Sequence, residues 1–328
     1  MSKLLEVNNL STSFFTKFGE VKAVNNISFE LEPGQVLAIV GESGSGKSVT
    51  SMSVMRLVAK GGKIVGGSIM FDGKDLAQLS EKEMAKIRGK EISMIFQDPM
   101  TCLNPVFTIG NQMEESLKLH FKDMTAKQRH DKMIDMMEKV GLSNPEERLK
   151  QYPHELSGGM RQRIMIAMSL LCGPKLLIAD EPTTALDVTI QAQIMDLMRD
   201  LSEELNTAII LITHDLGVVA SIADRVNVMY CGEIVESAPV KDLYYKPLHP
   251  YTWGLLKALP RLDMKENELQ PIPGSTPDLL LEQKGCPFFD RCDHAMECCK
   301  VAKPPIYEVE KEHYAKCWRY HPEFKEEQ

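Results

Sequence analysis

No stretch of this 328-residue chain approaches the ~20 consecutive apolar residues that a membrane-spanning helix needs. Runs such as Ala208–Ile212 and Ile164–Cys172 stop far short. Contact with a membrane therefore has to come through a partner or a surface. Basic excess is also missing. The formal net charge is −8, which argues against a nucleic-acid backbone as the main partner. The opening Met1-Ser2-Lys3-Leu4-Leu5-Glu6 turns polar too early for a secretory signal, so a cytosolic location is expected. There is no internal repeat, no low-complexity tract and no heptad run. The remaining composition, 43% hydrophobic and 26% charged, suits a soluble globular protein of one large domain or two modest ones.

Cysteine is present and unevenly placed. Cys102, Cys172 and Cys231 are scattered, whereas Cys286, Cys292, Cys298, Cys299 and Cys317 crowd the C-terminal end. In a reducing compartment such clustering suggests metal ligation more than disulfides.

The pattern of elements alternates. Residues 4–34 read as short strands with turns, and Gln35–Val40 as a strand buried on both faces. A helix is expected from Lys47 to about Lys60, another over Glu81–Arg88, and a strand over Glu91–Phe96. Residues from about 98 to 173 are helix-rich, with amphipathic stretches at Ile109–His120 and Ala126–Val140. Leu176–Ala179 and Ala208–Thr213 read as buried strands separated by a helix over Thr189–Leu205. This predicts an α/β core with a helical insertion. From Ser237 onward prolines recur (Pro247, Pro250, Pro260, Pro271, Pro273, Pro277, Pro287, Pro304, Pro305), which marks an appended, loop-rich unit. The expected division is residues 1–240 and residues 241–328.

Three segments carry chemistry. Gly41-Glu42-Ser43-Gly44-Ser45-Gly46-Lys47-Ser48 is a complete P-loop between a strand and a helix. Its glycines turn backbone N–H groups toward phosphates, Lys47 reaches the β and γ oxygens, and the Ser48 hydroxyl can ligate Mg²⁺. Leu176–Ala179 runs into Asp180 and Glu181. Asp180 can hold the Mg²⁺ shell through water, and Glu181 can act as general base toward the attacking water. Between these lies Leu156-Ser157-Gly158-Gly159-Met160, a second glycine-rich turn opening a helix and a second surface for an anion. One nucleotide needs only one P-loop, so the second surface is expected to serve a nucleotide held by another subunit.

These motifs, in this order over most of residues 4–240, resemble the nucleotide-binding subunit of an ATP-binding-cassette transporter. The resemblance implies a P-loop ATPase core with an N-terminal antiparallel β subdomain and a helical signature subdomain. Gln97 matches the Q-loop glutamine, which touches the Mg²⁺ shell and senses the membrane subunit. Leu156–Met160 matches the signature, with Met160 where many members carry Gln. Ala185-Leu186-Asp187 matches the D-loop, and His214 matches the switch histidine at the γ-phosphate. Val49 follows the P-loop serine and belongs to the same nucleotide-binding set. The family places an aromatic against adenine on the first hairpin. Phe14, Phe15 and Phe18 all lie there, and Phe14 is preferred on hairpin length, with a core role as its alternative.

The tail resembles the C-terminal extension of oligopeptide and dipeptide importer ATPases, at Pro247-Leu248-His249-Pro250-Tyr251-Thr252 and at Gly285–Cys292. That resemblance implies a [4Fe-4S] cluster on Cys286, Cys292, Cys299 and Cys317. Zinc is the alternative for four thiolates, although paired C-x₂-C knuckles are missing. Cys298 is the spare thiol and could exchange roles with Cys299. Buried, unliganded cysteines are the plain alternative.

The family works as paired cassettes, head to tail, with ATP between the P-loop of one and the signature of the other. The expected partners are a related second ATPase subunit, two transmembrane permease subunits and an extracytoplasmic solute-binding protein. The expected location is the cytoplasmic face of the cell membrane, held peripherally. Peptide import leads. Nickel or another small solute is the alternative within transport, and a soluble cassette ATPase is the alternative outside it.

Overall fold

The computed structural model describes residues 3–97, 102–183, 187–259, 271–281 and 283–327. The chain divides into two compact units. One comprises residues 31–36 and 78–212; the other comprises residues 3–30, 37–77 and 213–328.

The first unit holds three parallel strands, Ile92–Ile95, Leu176–Asp180 and Ala208–Thr213. Ile92 stands opposite Leu176, and Leu176 opposite Ala208. The latter two strands are buried along their whole length. Such near-continuous apolar runs suit a parallel sheet covered on both faces. Helices Ile109–His120, Ala126–Lys139 and Gly158–Leu170 fill the region between the first two strands. Each starts at a side-chain cap: Thr108, Thr125 and Ser157 accept from the backbone N–H groups of Asn111, Gln128 and Met160. Their apolar faces, including Ile109, Met113, Leu117, Met133, Met136 and Met137, are buried. Val188–Leu205 connects the second and third strands and ends at Asn206, which takes the left-handed conformation.

The second unit opens with an antiparallel sheet of Gly19–Leu31, Leu5–Thr16, Gly62–Phe71 and Lys74–Asp75, in that order. The strand Gly62–Phe71 has no expectation behind it in the sequence. Gly66-Gly67 interrupt its alternation, at the point where the pairing slips between Asn8 and Ser11. The P-loop helix runs only over Lys47–Val54, not to Lys60. Arg56 adopts φ 52, and the N–H of Leu57 returns to the carbonyl of Met52. This closure ends a helix within one turn.

Val36–Val40 pairs in parallel with Arg225–Tyr230, which pairs antiparallel with Glu233–Pro239. The C-terminal region is less loop-like than its prolines suggest. His313–Ala315 pairs with Glu233–Pro239, and Tyr307–Glu310 pairs with His313–Ala315. A buried carboxylate fastens this region further. Glu236 accepts from the N–H groups of Leu248 and His249 at 2.8 Å each, from the Thr252 hydroxyl at 2.6 Å, and lies 2.8 Å from Nε2 of His313. A buried charge is tolerated when its lone pairs are met in this way. Among the described residues no helix is long and apolar enough to cross a membrane.

Candidate nucleotide site and cysteine cavity

The P-loop is built from close approach. Gly41 has φ 149, and a Cβ there would stand 2.2 Å from the carbonyl oxygen of Met229. Gly46 has φ 103, and a Cβ there would stand 2.4 Å from that of Ala23. Neither position admits a side chain. Gly46 is also the N-cap of the helix Lys47–Val54, and no side chain caps that end. The positive end of the helix dipole lies at this turn, which favours an anion there. Lys47 is buried, and its ammonium donates to the carbonyls of Gly41 at 2.7 Å and Glu42 at 2.9 Å. Gly44 lies open, with nothing within 4 Å of a Cβ placed there. Ser43 is exposed, Ser48 exposed and Val49 half-buried. The chemistry of the loop fits a nucleotide phosphate.

In the first unit two distant motifs meet. Gln97 Nε2 donates to Glu181 Oε2 at 2.9 Å. Glu181 follows the buried Asp180 and adopts φ 48, a left-handed conformation that L side chains rarely take. Its N–H is held by the carbonyl of Ile212 at 2.8 Å. The residue is thereby tied through its side chain to Gln97 and through its backbone to Ile212.

Ser157 and Gly158 are exposed at the start of the signature helix, while Leu156 is buried beneath them. The Ser157 hydroxyl accepts from Met160 N–H at 3.4 Å. A Cβ on Gly159 would lie 3.4 Å from Ile190. Gln162 was not anticipated from the sequence. It is fully buried and donates to the carbonyl of Pro182, the residue after Glu181. A Gln inside an apolar helix face is the signal that could have found it. Asp187 is exposed and caps Val188–Leu205 by accepting from Ile190 N–H at 3.0 Å. Ala185 and Leu186 lie outside the described residues.

His214 is exposed in the second unit, directly after the strand Ala208–Thr213. Its successor Asp215 donates its N–H to Thr213 Oγ1 and accepts from the N–H groups of Gly217 and Val218. Phe14 is half-buried opposite Gly62, and a Cβ on Gly62 would stand 2.7 Å from its ring. Phe15 is exposed with Lys63 over its ring, and Phe18 is 89% exposed.

Cys286, Cys292, Cys299 and Cys317 line one cavity of about 10 Å³, together with His249, Phe288 and Trp318 among others. Cys298 is not among its lining residues. No cysteine of the described residues is in a disulfide. Burial pushes the thiols of Cys286 up to about 12 and Cys317 up to about 11, and raises Cys292 as well. Four thiols on one cavity are soft donors of the type that a thiophilic metal takes. As the side chains stand, however, no group of three or more His, Cys, Asp or Glu among the described residues is arranged to hold a metal ion. A void of this size has room for about one water-sized body, so a four-iron cluster requires the cavity to widen.

Residues 24–184 match the family described as ABC transporter, and residues 235–299 match the oligopeptide/dipeptide transporter C-terminal region. Over 325 residues the chain is 54% identical to the oligopeptide transport ATP-binding protein OppD of Bacillus subtilis, covering 98% of this chain and 90% of the relative. The dipeptide transport ATP-binding protein DppD of the same organism is 53% identical over 97% of this chain and 95% of its own length. The OppD protein of Salmonella typhimurium is 55% identical over 92% and 89%. Among solved structures, the dimeric post-hydrolysis state of the cassette MJ0796 bound to ADP and Pi superposes with a TM-score of 0.65. It is 26% identical and covers 72% of this chain and 98% of that one.

Proposed function

Because this chain belongs to the ABC transporter family, as an ATP-binding subunit of its oligopeptide/dipeptide branch, we propose a division of labour among its residues. The protein is an ATPase coupled to peptide transport. Lys47 and the P-loop N–H groups bind the nucleotide phosphates. Ser48, Gln97 and Asp180 would hold Mg²⁺, which would supply charge neutralisation at the phosphates. Glu181 accepts the proton of the attacking water, with Gln97 fixing its carboxylate. His214 contacts the γ-phosphate, and Phe14 stacks on adenine.

Ser157, Gly158 and Gly159 complete the site of a partner cassette, and Asp187 stands at the junction. Such a shared site closes only when the anion is present and opens when phosphate leaves, which couples hydrolysis to movement of the membrane subunits. The partners are a related second ATPase, two permease subunits and a solute-binding protein. The chain sits peripherally at the cytoplasmic face of the membrane, docked near Gln97 and the helical region.

The match of residues 235–299 to the peptide-transporter C-terminal region carries the peptide assignment. Purified Glu181→Gln tests the mechanism. It should retain ATP while its turnover falls by about 10²–10⁴-fold; normal hydrolysis would remove Glu181 from the role of base.

The thiolates of Cys286, Cys292, Cys299 and Cys317 would hold a [4Fe-4S] cluster, which cross-links four chain segments and can carry an electron. The second reading is a single zinc ion on the same four sulfurs. Iron, sulfide and zinc analysis of protein prepared without oxygen separates the two.

A further inference from the structure

Glu42, the second residue of the P-loop, is held on three sides. Its carbonyl receives the Lys47 ammonium at 2.9 Å. Its N–H donates to the Tyr251 hydroxyl at 2.8 Å. Its carboxylate takes both ends of the Arg291 guanidinium, at 2.7 Å from Nη1 and 2.9 Å from Nη2. Tyr251 and Arg291 both come from the C-terminal region, 209 and 249 residues further along.

Arg291 is itself fully engaged. Beyond the two bonds to Glu42, Nε donates to the carbonyl of Pro273 at 2.8 Å, Nη1 to the Tyr230 hydroxyl at 3.3 Å and Nη2 to the carbonyl of Ile272 at 3.3 Å. All five donors of the fork are thus used. The side chain is 4% exposed, and its guanidinium lies 5.8 Å from the ring centres of both Tyr230 and Phe288. Five bonds in a packed slot leave one orientation, which a lysine cannot reproduce.

The backbone on either side of Arg291 belongs to the cysteine cavity. Its N–H donates to the carbonyl of Phe288, and Cys292 follows it directly. Phe288 and Cys292 both line the cavity. Phe288 also packs against Tyr230 and Tyr251. One short turn therefore carries both a wall of the cysteine cavity and the clamp on Glu42.

We propose that Arg291 is a positioning residue for the P-loop: by clamping Glu42 it fixes the carbonyl on which Lys47 rests, which makes the C-terminal region a working part of the nucleotide site. The physical reason lies in the loop itself. Its glycines give the backbone freedom, so the position of the lysine anchor has to be imposed from outside. A bidentate, largely buried ion pair imposes it with direction as well as charge.

This rests on the reading of the P-loop as the ATP site, and one binding experiment separates the two. ATP affinity is measured on the full chain for the unaltered protein, Lys47→Ala, Arg291→Lys, Glu42→Gln and the double variant, with ATP KM and kcat in the assembled transporter. Arg291→Lys and Glu42→Gln should each raise the ATP Kd and KM about tenfold, with kcat at saturating ATP moving far less. The double variant should be no worse than either single one. If Lys47→Ala abolishes binding while Arg291→Lys and Glu42→Gln bind as the unaltered chain does, the clamp is overturned and the P-loop reading stands. Effects of the two that simply multiply would also overturn it, because the residues would then act separately. If Lys47→Ala leaves affinity unchanged, the P-loop reading itself falls. Glu42 is not among the residues lining the cysteine cavity, so Glu42→Gln keeps the test valid should Arg291→Lys fail to fold.

Discussion

Gln97 donates to Glu181 across 2.9 Å, tying together the C-terminal ends of two adjacent parallel strands. The bond matters because Glu181 is held in a left-handed conformation with its N–H tied to Ile212. The backbone sets where the carboxylate starts, and Gln97 sets where it points. Gln97→Ala should lower kcat for ATP hydrolysis by about ten- to a hundredfold. A titration of rate against ATP concentration checks this. An unaltered kcat would mean that the carboxylate needs no such orientation.

Gln162 makes a second, hidden link within the same unit. Its side chain runs from the signature helix to the carbonyl of Pro182. Gln162→Leu leaves that buried carbonyl without its donor, and the expected loss of stability is about 1–3 kcal/mol. Hydrolysis should fall as well, because Pro182 follows Glu181. Denaturant unfolding together with an ATPase assay reads both effects. A stable but inactive variant would point to coupling between the signature and the catalytic strand end.

The exposed Ser157 and Gly158 make a prediction about the partner. Ser157→Arg should spare ATP binding at this chain's own P-loop and depress hydrolysis at the site that the partner's P-loop supplies. Assembled transporters carrying the substitution in only one of the two cassettes distinguish these sites. Equal loss of both functions would argue against a site shared across subunits.

The cysteines separate by position. Cys299 lines the cavity and Cys298 does not, so Cys299→Ser should lose bound metal and Cys298→Ser should keep it. Elemental analysis of both proteins gives the answer; equal retention would remove Cys299 from the ligand set. Burial holds the thiols of Cys286 and Cys317 protonated at neutral pH. Metal binding must therefore release protons, and metal affinity should fall as the pH is lowered. Competition with a chelator at two pH values measures this.

Much of the site was legible in the chain because its motifs are local. The P-loop needs glycine at Gly41 and Gly46 for space, and the sequence carries both. Leu176–Asp180 announces a buried strand by its unbroken apolar run. The amphipathic stretches at Ile109–His120 and Ala126–Val140 mark two of the helices. Where reading by pattern failed, two glycines were responsible in one case: Gly66-Gly67 hide the strand Gly62–Phe71. In another, a turn at Arg56 ended a helix that the composition would have extended.

By itself the sequence singled out the candidates: a P-loop for phosphate, Glu181 as the candidate base, and a cluster of cysteines near the C-terminal end. These depend on residue type and on spacing within a few positions. Only the tertiary structure decided which residues orient them. Gln97 reaches Glu181, Gln162 reaches Pro182, and Arg291 closes on Glu42 from 249 residues away. The reason is physical. A hydrogen bond between side chains depends on position in space to within a fraction of an ångström, and no local pattern encodes the fold that brings distant residues that close.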